Sequence, residues 1–498
     1  MPMPLCLKRC VKDVSPKLDL FPRGLPKLPA NISYVLYAPF FCEDNVYRNT
    51  FPFENSTFEH EKDADPLPNV SHAFYSSLFK HQLDVGVAMS NYEVDFLQDQ
   101  TQWFADFVET VDGSKRWLEG MAAAALSLNM SVQYCMAHPA AFLEAMALPA
   151  VSNGRASGDY QTPDGNLLDY GTAAPFFAAI GIAPSKDNFW STPNQPRPRS
   201  KSPTTGAPAC DGGSRNVTDN FLHALVATLS TGPVGFSDAL GYTNVSLIKS
   251  TCDSAGLLLK PSLPLAAIDR TFSSGLTASS SLPSSRGPQV PAGSHVWATH
   301  TAVSTATATA TSSSTSTSAT QSSRSSSSTS TGTGAGTVTL IWYMVVAIAV
   351  ADDWMLVRDD VWPPLLETQD VVVWDHSDIV GTAQMIPAGT PELASMHTPA
   401  SSSIAGGHAF GYTLISPIIP SSGGWAFLGE PSKLTPVSVQ RNFKFELHEE
   451  NAAKFTVKIV GSATVGELVT AAAWRDCKVH TFTAQIDEKG GCVFLFNS

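Results

Sequence analysis

The chain has 498 residues, of which 43% are hydrophobic and 15% charged, with a net charge of −13. That length supports two or three domains with cores of their own. The acidic balance speaks against a nucleic-acid binder, since the longest basic feature (Arg197, Arg199, Lys201) is scattered among prolines. None of the eight cysteines is spaced like a zinc site, so mostly free thiols and no metal are expected.

Residues 1–30 are rich in Pro and Lys, and no apolar leader stretch is read in Met1–Cys10. Sequons at Asn31, Asn55, Asn69, Asn129, Asn216 and Asn244 point toward a secretory or endomembrane route, with localisation otherwise unassigned. The apolar run Tyr34–Phe41 reads as a buried strand of the parallel-sheet kind. Helical spacing follows over Val70–Leu83, then a strand ending in Tyr92-Glu-Val-Asp-Phe-Leu97. Helices are predicted over Thr101–Thr110 and Lys115–Asn129, the second with an apolar face of Leu118, Met121, Ala122, Ala125 and Leu126. Met130–Met136 is a strand, Pro139–Met146 a short helix with proline in its first turn, and Ala150–Ala156 another strand. A helix over Thr172–Ile180, a weak strand over Ile182–Trp190 and a helix over Thr218–Thr228 come next. A strand with a Gly-Pro bend over Leu229–Phe236 and a helix over Thr243–Asp253 complete this part.

Strand and helix alternate from residue 34 to about 255, which predicts a parallel α/β architecture, a barrel or a doubly wound sheet. No Gly-x-Gly-x-x-Gly opens a helix, so the dinucleotide-binding sheet is disfavoured and no organic cofactor is implied. Asp95 and Asp159 are 64 residues apart. With about 30 residues per βα unit of a typical barrel, they fall two strands apart, at the C-terminal ends where barrel enzymes keep their chemistry. Two carboxylates so placed suit glycoside cleavage, one as nucleophile and one as acid/base. Arg155 lies near enough in sequence to hold a carboxylate or a sugar hydroxyl. The plain alternative is two loop aspartates. Trp103 reads as core or as a sugar-stacking platform. Asp44, in the loop after the first strand, would share the catalytic face.

Residues 273–337 are low in complexity, and from Thr301 to Gly336 almost only Ser, Thr, Ala and Gly occur. Such a tract buries no core. Strand-like runs flank it at His295–His300 and Ile341–Val346, so it reads as an insertion within a hairpin. The apolar run Val338–Ala351 is shorter than the roughly 20 residues of a membrane helix and is β-branched, hence a buried strand and no membrane span. From 338 onward the pattern turns all-β, with strands at Trp354–Arg358, Val371–Trp374, Gly424–Leu428, Phe443–Leu447, Phe455–Val460 and Cys492–Phe496. Such a series predicts a β-sandwich. The expected organisation is therefore 1–272, 273–337 and 338–498, the last with a strand from 293–300.

The segment Ala150-Val-Ser-Asn-Gly-Arg-Ala-Ser-Gly-Asp-Tyr160 resembles the Arg-x-Ser-Asp-Asp-Phe segment of glycoside hydrolase family 36, the raffinose synthases and alkaline α-galactosidases. Leu20–Leu28 is similar to the family's Phe-Pro-x-Gly-Leu-Lys-x-Leu, and Ala183–Trp190 to its Val-Pro-Asp-Trp-Asp-Met-Phe. Thr228–Asp238 with Gly241 is similar to Ser-Gly-Gly-Pro-Val-Tyr-Val-Ser-Asp-x-x-Gly, and Leu257–Lys260 to the Gly-x-x-Leu-Arg after it. The resemblance spans about 20–272. It implies a (β/α)8 barrel of the TIM type, here incomplete at its N-terminus because the match begins after the family's second strand. It also implies a retaining enzyme on α-linked sugars, galactosides preferred, acting by hydrolysis or glycosyl transfer on an oligosaccharide or glycoside. Asp95 would be nucleophile and Asp159 acid/base, with Arg155, Asp187, Trp190 and Asp238 lining the sugar. Gly158 stands where the family has a first aspartate, Lys186 where it has tryptophan, and Glu93-Val94 where it has a lysine before the nucleophile. The alternatives are a non-catalytic carbohydrate-binding or structural homologue, and an adhesive mucin-like protein built around the Ser/Thr tract.

Overall fold

The computed structural model describes residues 32–38, 41, 45–54, 67–68, 70–84, 86–160, 167–193, 195, 219–272, 294–306, 337–350, 354–396, 398, 409–420, 422–447, 454–460 and 464–497. Asp44 and the stretch Leu20–Leu28 lie outside them, as does the Ser/Thr tract beyond residue 306. The chain forms two compact units, Met1–Asn244 with Pro264–Ala266, and Val245–Leu263 with Ala267–Ser498. The boundary expected at 272 therefore falls earlier. The reason is a set of bonds within the second unit: Leu434 N–H donates to the Ser250 carbonyl at 2.9 Å, and Lys433 Nζ to the carbonyls of Lys249 and Cys252 at 2.9 and 2.7 Å.

The first unit is built on five parallel strands, β1 Tyr34–Tyr37, β2 Met89–Val94, β3 Ser131–Tyr134, β4 Val151–Arg155 and β5 Ala183–Ser185, paired in that order. The parallel α/β expectation holds at that level. The sheet is open, with β1 and β5 at its edges, and no closed barrel is present among the described residues. Between the strands run α1 Ser71–Asp84, α2 Leu97–Trp103, α3 Ala105–Glu109, α4 Gly113–Ser127, α5 Pro139–Ala145 and α6 Asp169–Ile180. The single helix expected over 101–110 is thus broken, because Phe104 is extended at φ −108°, ψ 129°. After α7 Asn220–Leu229, the expected strand to Phe236 is not formed. Only one parallel bridge, Phe189 to Phe236, remains of it. Gly232, Pro233 and Gly235 supply little side chain to pack and one missing N–H, which weakens a ladder. A last helix, α8 Val245–Thr251, follows in the second unit.

Alternation along the strands gives the sheet two unlike faces. One meets helices: the Tyr92 ring lies 5.6 and 5.1 Å from Tyr75 and Phe79 of α1, and Tyr134 lies 5.8 Å from Phe142 of α5. Gly154 belongs to this face, where a Cβ would stand 2.2 Å from the Phe142 ring and 2.8 Å from that of Phe177 in α6. Only glycine allows that approach. The other face is polar and is described below.

The second unit is antiparallel throughout. β6 His295–Ala306 pairs with β7 Thr337–Ile348 over their full lengths, so the Ser/Thr tract connects two strands of one hairpin, as expected. β8 Trp354–Val357 pairs with β11 Glu392–Met396, and β9 Val371–Asp375 lies between β10 Gln384–Ile386 and β12 Phe410–Pro417. β12 in turn pairs with β7. Two three-stranded sheets follow, β13 Ala426–Gly429 with β16 Leu468–Arg475 and β17 Lys478–Gln485, and β14 Phe443–Leu447 with β15 Lys454–Ile459 and β18 Cys492–Asn497. The apolar run of β7 serves two cores. Leu340 and Trp342 join Phe427, Phe445 and Phe455, whereas Tyr343, Val345 and Ala347 join Trp354, Val371 and Ile415. A strand buried on both faces reads as continuous hydrophobicity, which is why it resembles a short membrane segment. No helix among the described residues is long and apolar enough to cross a membrane.

Candidate functional site

The polar face of the parallel sheet carries the candidate site. The register sets Tyr37 beside Glu93, Glu93 beside Gln133 and Gln133 beside Asn153, so these four side chains form a row across β1 to β4. Asn153 Nδ2 donates to Gln133 Oε1 at 3.0 Å, and Gln133 Nε2 donates to Glu93 Oε1 at 3.2 Å. Side-chain amides suit this floor because each both donates and accepts, so a bond polarity runs through the row to a carboxylate that only accepts. Burial raises the Glu93 pKa, the neighbouring charge of Asp95 raises it further, and Arg155 acts in the opposite sense.

One residue further up β2, the chain turns. Asp95 is 8% exposed and its carboxylate is held by two donors. The Tyr37 hydroxyl donates to Oδ2 at 2.8 Å, and the Phe96 N–H donates to Oδ1 at 2.8 Å. Burial and then the Asp95 charge push the Tyr37 hydroxyl well above the usual phenol range, and burial does the same to the Cys135 thiol. Both therefore stay protonated at neutral pH, and the Tyr37 hydroxyl remains a donor. Phe96 has φ 57°, a left-handed backbone that costs a bulky residue on the order of 1–3 kcal/mol and recurs where function imposes it.

Asp159 follows β4, and β3 lies between its strand and that of Asp95, as the 64-residue spacing predicts. Strands two places apart are roughly 10 Å apart at the backbone. The Asp159 side chain is 53% exposed and pairs with the Arg155 guanidinium. Arg155, 13% exposed, also reaches Asp187 at 3.4 Å. Asp187 is fixed further by the Tyr160 N–H on Oδ2 at 2.5 Å, by Asn188 Nδ2 on Oδ1 at 3.2 Å, and through its own N–H, which donates to Ser157 Oγ at 2.9 Å. The structure thus brings Asp95, Arg155, Asp159 and Asp187 to the C-terminal ends of three strands of one sheet.

Two other expected residues serve different ends. Asp238 accepts from the Ser191 N–H at 2.7 Å, Ser191 Oγ at 2.5 Å and Gln195 Nε2 at 2.9 Å, so its carboxylate closes a loop upon itself. Trp190 places its ring edge-on to Tyr160 at 6.0 Å, and its carbonyl accepts from Asn220 Nδ2 at 2.6 Å. Asp44 falls outside the described residues. Sequence reading missed Tyr37, Glu93, Gln133, Cys135 and Asn153. The signal was present: polar residues at alternate positions of otherwise buried strands, each directed away from the helices. Ser185, next to Arg155 in register, adds a hydroxyl that is 2% exposed and makes no hydrogen bond. No cluster of His, Cys, Asp and Glu suited to a metal occurs among the described residues. Comparison with family models and with curated proteins finds no match to this chain.

Proposed function

We propose that the polar face is a glycoside site and that the protein processes an α-linked sugar by a retaining, two-aspartate route. The resemblance to glycoside hydrolase family 36 makes a galactoside the preferred substrate and the five-stranded sheet a sector of that family's barrel. The observation that carries the reading is Asp95: a nearly buried carboxylate at a strand end, held by two donors and followed by a left-handed phenylalanine. Such clamping leaves lone pairs in one fixed direction and removes water that would otherwise solvate the nucleophile. Asp95 attacks the anomeric carbon and forms a glycosyl ester, while Asp159 gives a proton to the leaving oxygen. Asp159 then takes a proton from water or an acceptor sugar, which displaces Asp95. Arg155 and Asp187 set the position of Asp159 and offer hydrogen bonds to sugar hydroxyls.

An activated 2-fluoro-α-galactoside tests the assignment, because its slow ester hydrolysis traps the intermediate. Digestion and mass spectrometry are expected to find one added sugar on the peptide that contains Asp95, and none after Asp95→Asn. Label on another carboxylate removes Asp95 from the role. A second reading, a sugar-binding protein without catalysis, is favoured by the engagement of Asp159 with Arg155, since an acid must leave that pair to deliver a proton. Saturable galactoside binding without label would select it.

A further inference from the structure

Lys186 stands just beyond β5 and is 6% exposed. Its Nζ donates to the carbonyls of Asp187 at 2.9 Å and Asn188 at 3.4 Å. The same atom lies 5.1 Å from the ring centroid of Tyr160 and 5.3 Å from that of Phe189. Tyr160 belongs to the segment after β4 that carries Asp159, whereas Asp187 and Phe189 belong to the segment after β5. Two backbone bonds already cross between these segments, Tyr160 N–H to Asp187 Oδ2 and Asp187 N–H to Ser157 Oγ. The lysine head adds a contact across the two segments, with the Tyr160 ring, and it is the group there that can change charge near neutral pH. We propose that Lys186 is a positioning residue, a proton-sensitive latch that draws the Asp187 segment against Tyr160 and so fixes Arg155, Asp159 and Asp187 with respect to one another.

The groups that face the amine decide the sign. Asp187 favours the ammonium, Arg155 opposes it, and the neutral rings of Tyr160 and Phe189 enclose it. His223 of α7 packs on the far side of both rings, at 5.1 and 6.2 Å, and Trp190 meets the edge of Tyr160. Burial outweighs the rest and brings the latched amine down to about 7. A released Lys186 in water titrates near 10.4, as lysine does. Between these values the latched form has lost its proton and the released form has kept it. Rising pH therefore favours the latched form, by up to about tenfold per pH unit above 7, and the dependence disappears below 7.

Hydrogen exchange on the full chain reads this directly and requires no sugar. The relevant amides are Tyr160 and Asp187, with protection corrected for the intrinsic rate at each pH. Between pH 7 and pH 8.5 their protection is expected to rise by up to about fifteenfold in the wild type. The Cys135 amide, which donates to Val94 within the sheet, serves as control and is expected to hold constant. Lys186→Met, which keeps the stem and removes the titrating head, is expected to abolish the rise. Lys186→Arg, charged throughout, is expected to give protection that is flat and below that of the wild type at pH 8.5. Flat wild-type protection overturns the latch, and so does a rise that survives in Lys186→Met. If the methionine variant does not fold, the wild-type profile and the arginine variant decide the matter. Failure of the fluoro-sugar to label Asp95 leaves these outcomes untouched, so the two proposals fail separately.

Discussion

Each unit of the protein has an arginine held between two carboxylates, and the two groups are built to opposite ends. In the second unit Arg441 is 1% exposed, pairs with Glu430 at 2.7 Å and with Glu467 at 2.8 Å, and uses four separate N–H···O bonds to do so. The carboxylates are nearly as buried, 3% and 7% exposed, so both are bonded by the one buried guanidinium. In the first unit Arg155 pairs with Asp187 and with an Asp159 that is half open to water. Nearby, Glu93 and Asp95 take their bonds from neutral donors, an amide, a phenol and a backbone N–H. A closed triad has nothing left with which to bind a ligand. The open group keeps one carboxylate, that of Asp159, half exposed to water.

The comparison is tested first where the effect is largest. Arg441→Leu strands two buried carboxylates, and breaking a buried pair in this way costs about 3–5 kcal/mol. Thermal or urea unfolding should show that loss. Replacing Glu430 and Glu467 by glutamine as well should recover much of it, because neutral amides need no counter-charge. Arg155→Leu should cost less, about 1–2 kcal/mol, since Asp159 turns to solvent and Asp187 keeps the Tyr160 and Asn188 donors. Its larger effect should fall on sugar binding. Equal stability losses at the two arginines would erase the distinction between them.

The strands of the first unit were legible as short apolar runs between helical stretches, whereas the alternation of buried and polar residues along them was not used. Tyr92 and Val94 face helices while Glu93 and Asp95 face away, and Tyr134 and Gln133 divide in the same manner. Spacing placed Asp95 and Asp159 two strands apart with the Met130–Met136 strand between, and the sheet has that order. What stayed hidden has identifiable causes. Asp238 looks like a site carboxylate, yet it is used up by Ser191 and Gln195, 47 and 43 residues away in the chain. The strand read over Leu229–Phe236 was a likeness of composition, and its glycines and proline give it no ladder. In the second unit β16 escapes notice because Ala471, Ala472 and Ala473 carry no β-strand preference of their own. They form a strand because β13 and β17 pair with them on either side. The amine of Lys186 is equally illegible, since its burial depends on rings contributed by two different segments.

The smallest effect is the most discriminating, because its sign separates a site from a scaffold. Burial and the charge of Asp95 raise the Glu93 pKa above the unfolded value. The folded state therefore binds a proton at Glu93 that the unfolded state has already released. Below the unfolded carboxylate range this group costs nothing, and as pH rises through the folded pKa its cost becomes complete. Glu93→Gln keeps the oxygen that accepts from Gln133 and removes the charge. It should raise stability at pH 7 and leave it unchanged near pH 3, as followed by urea unfolding at the two pH values. Galactoside binding should weaken at the same time if Glu93 serves the ligand. A variant that is less stable at pH 7 would instead place Glu93 with the closed triad, as a charge the fold depends on.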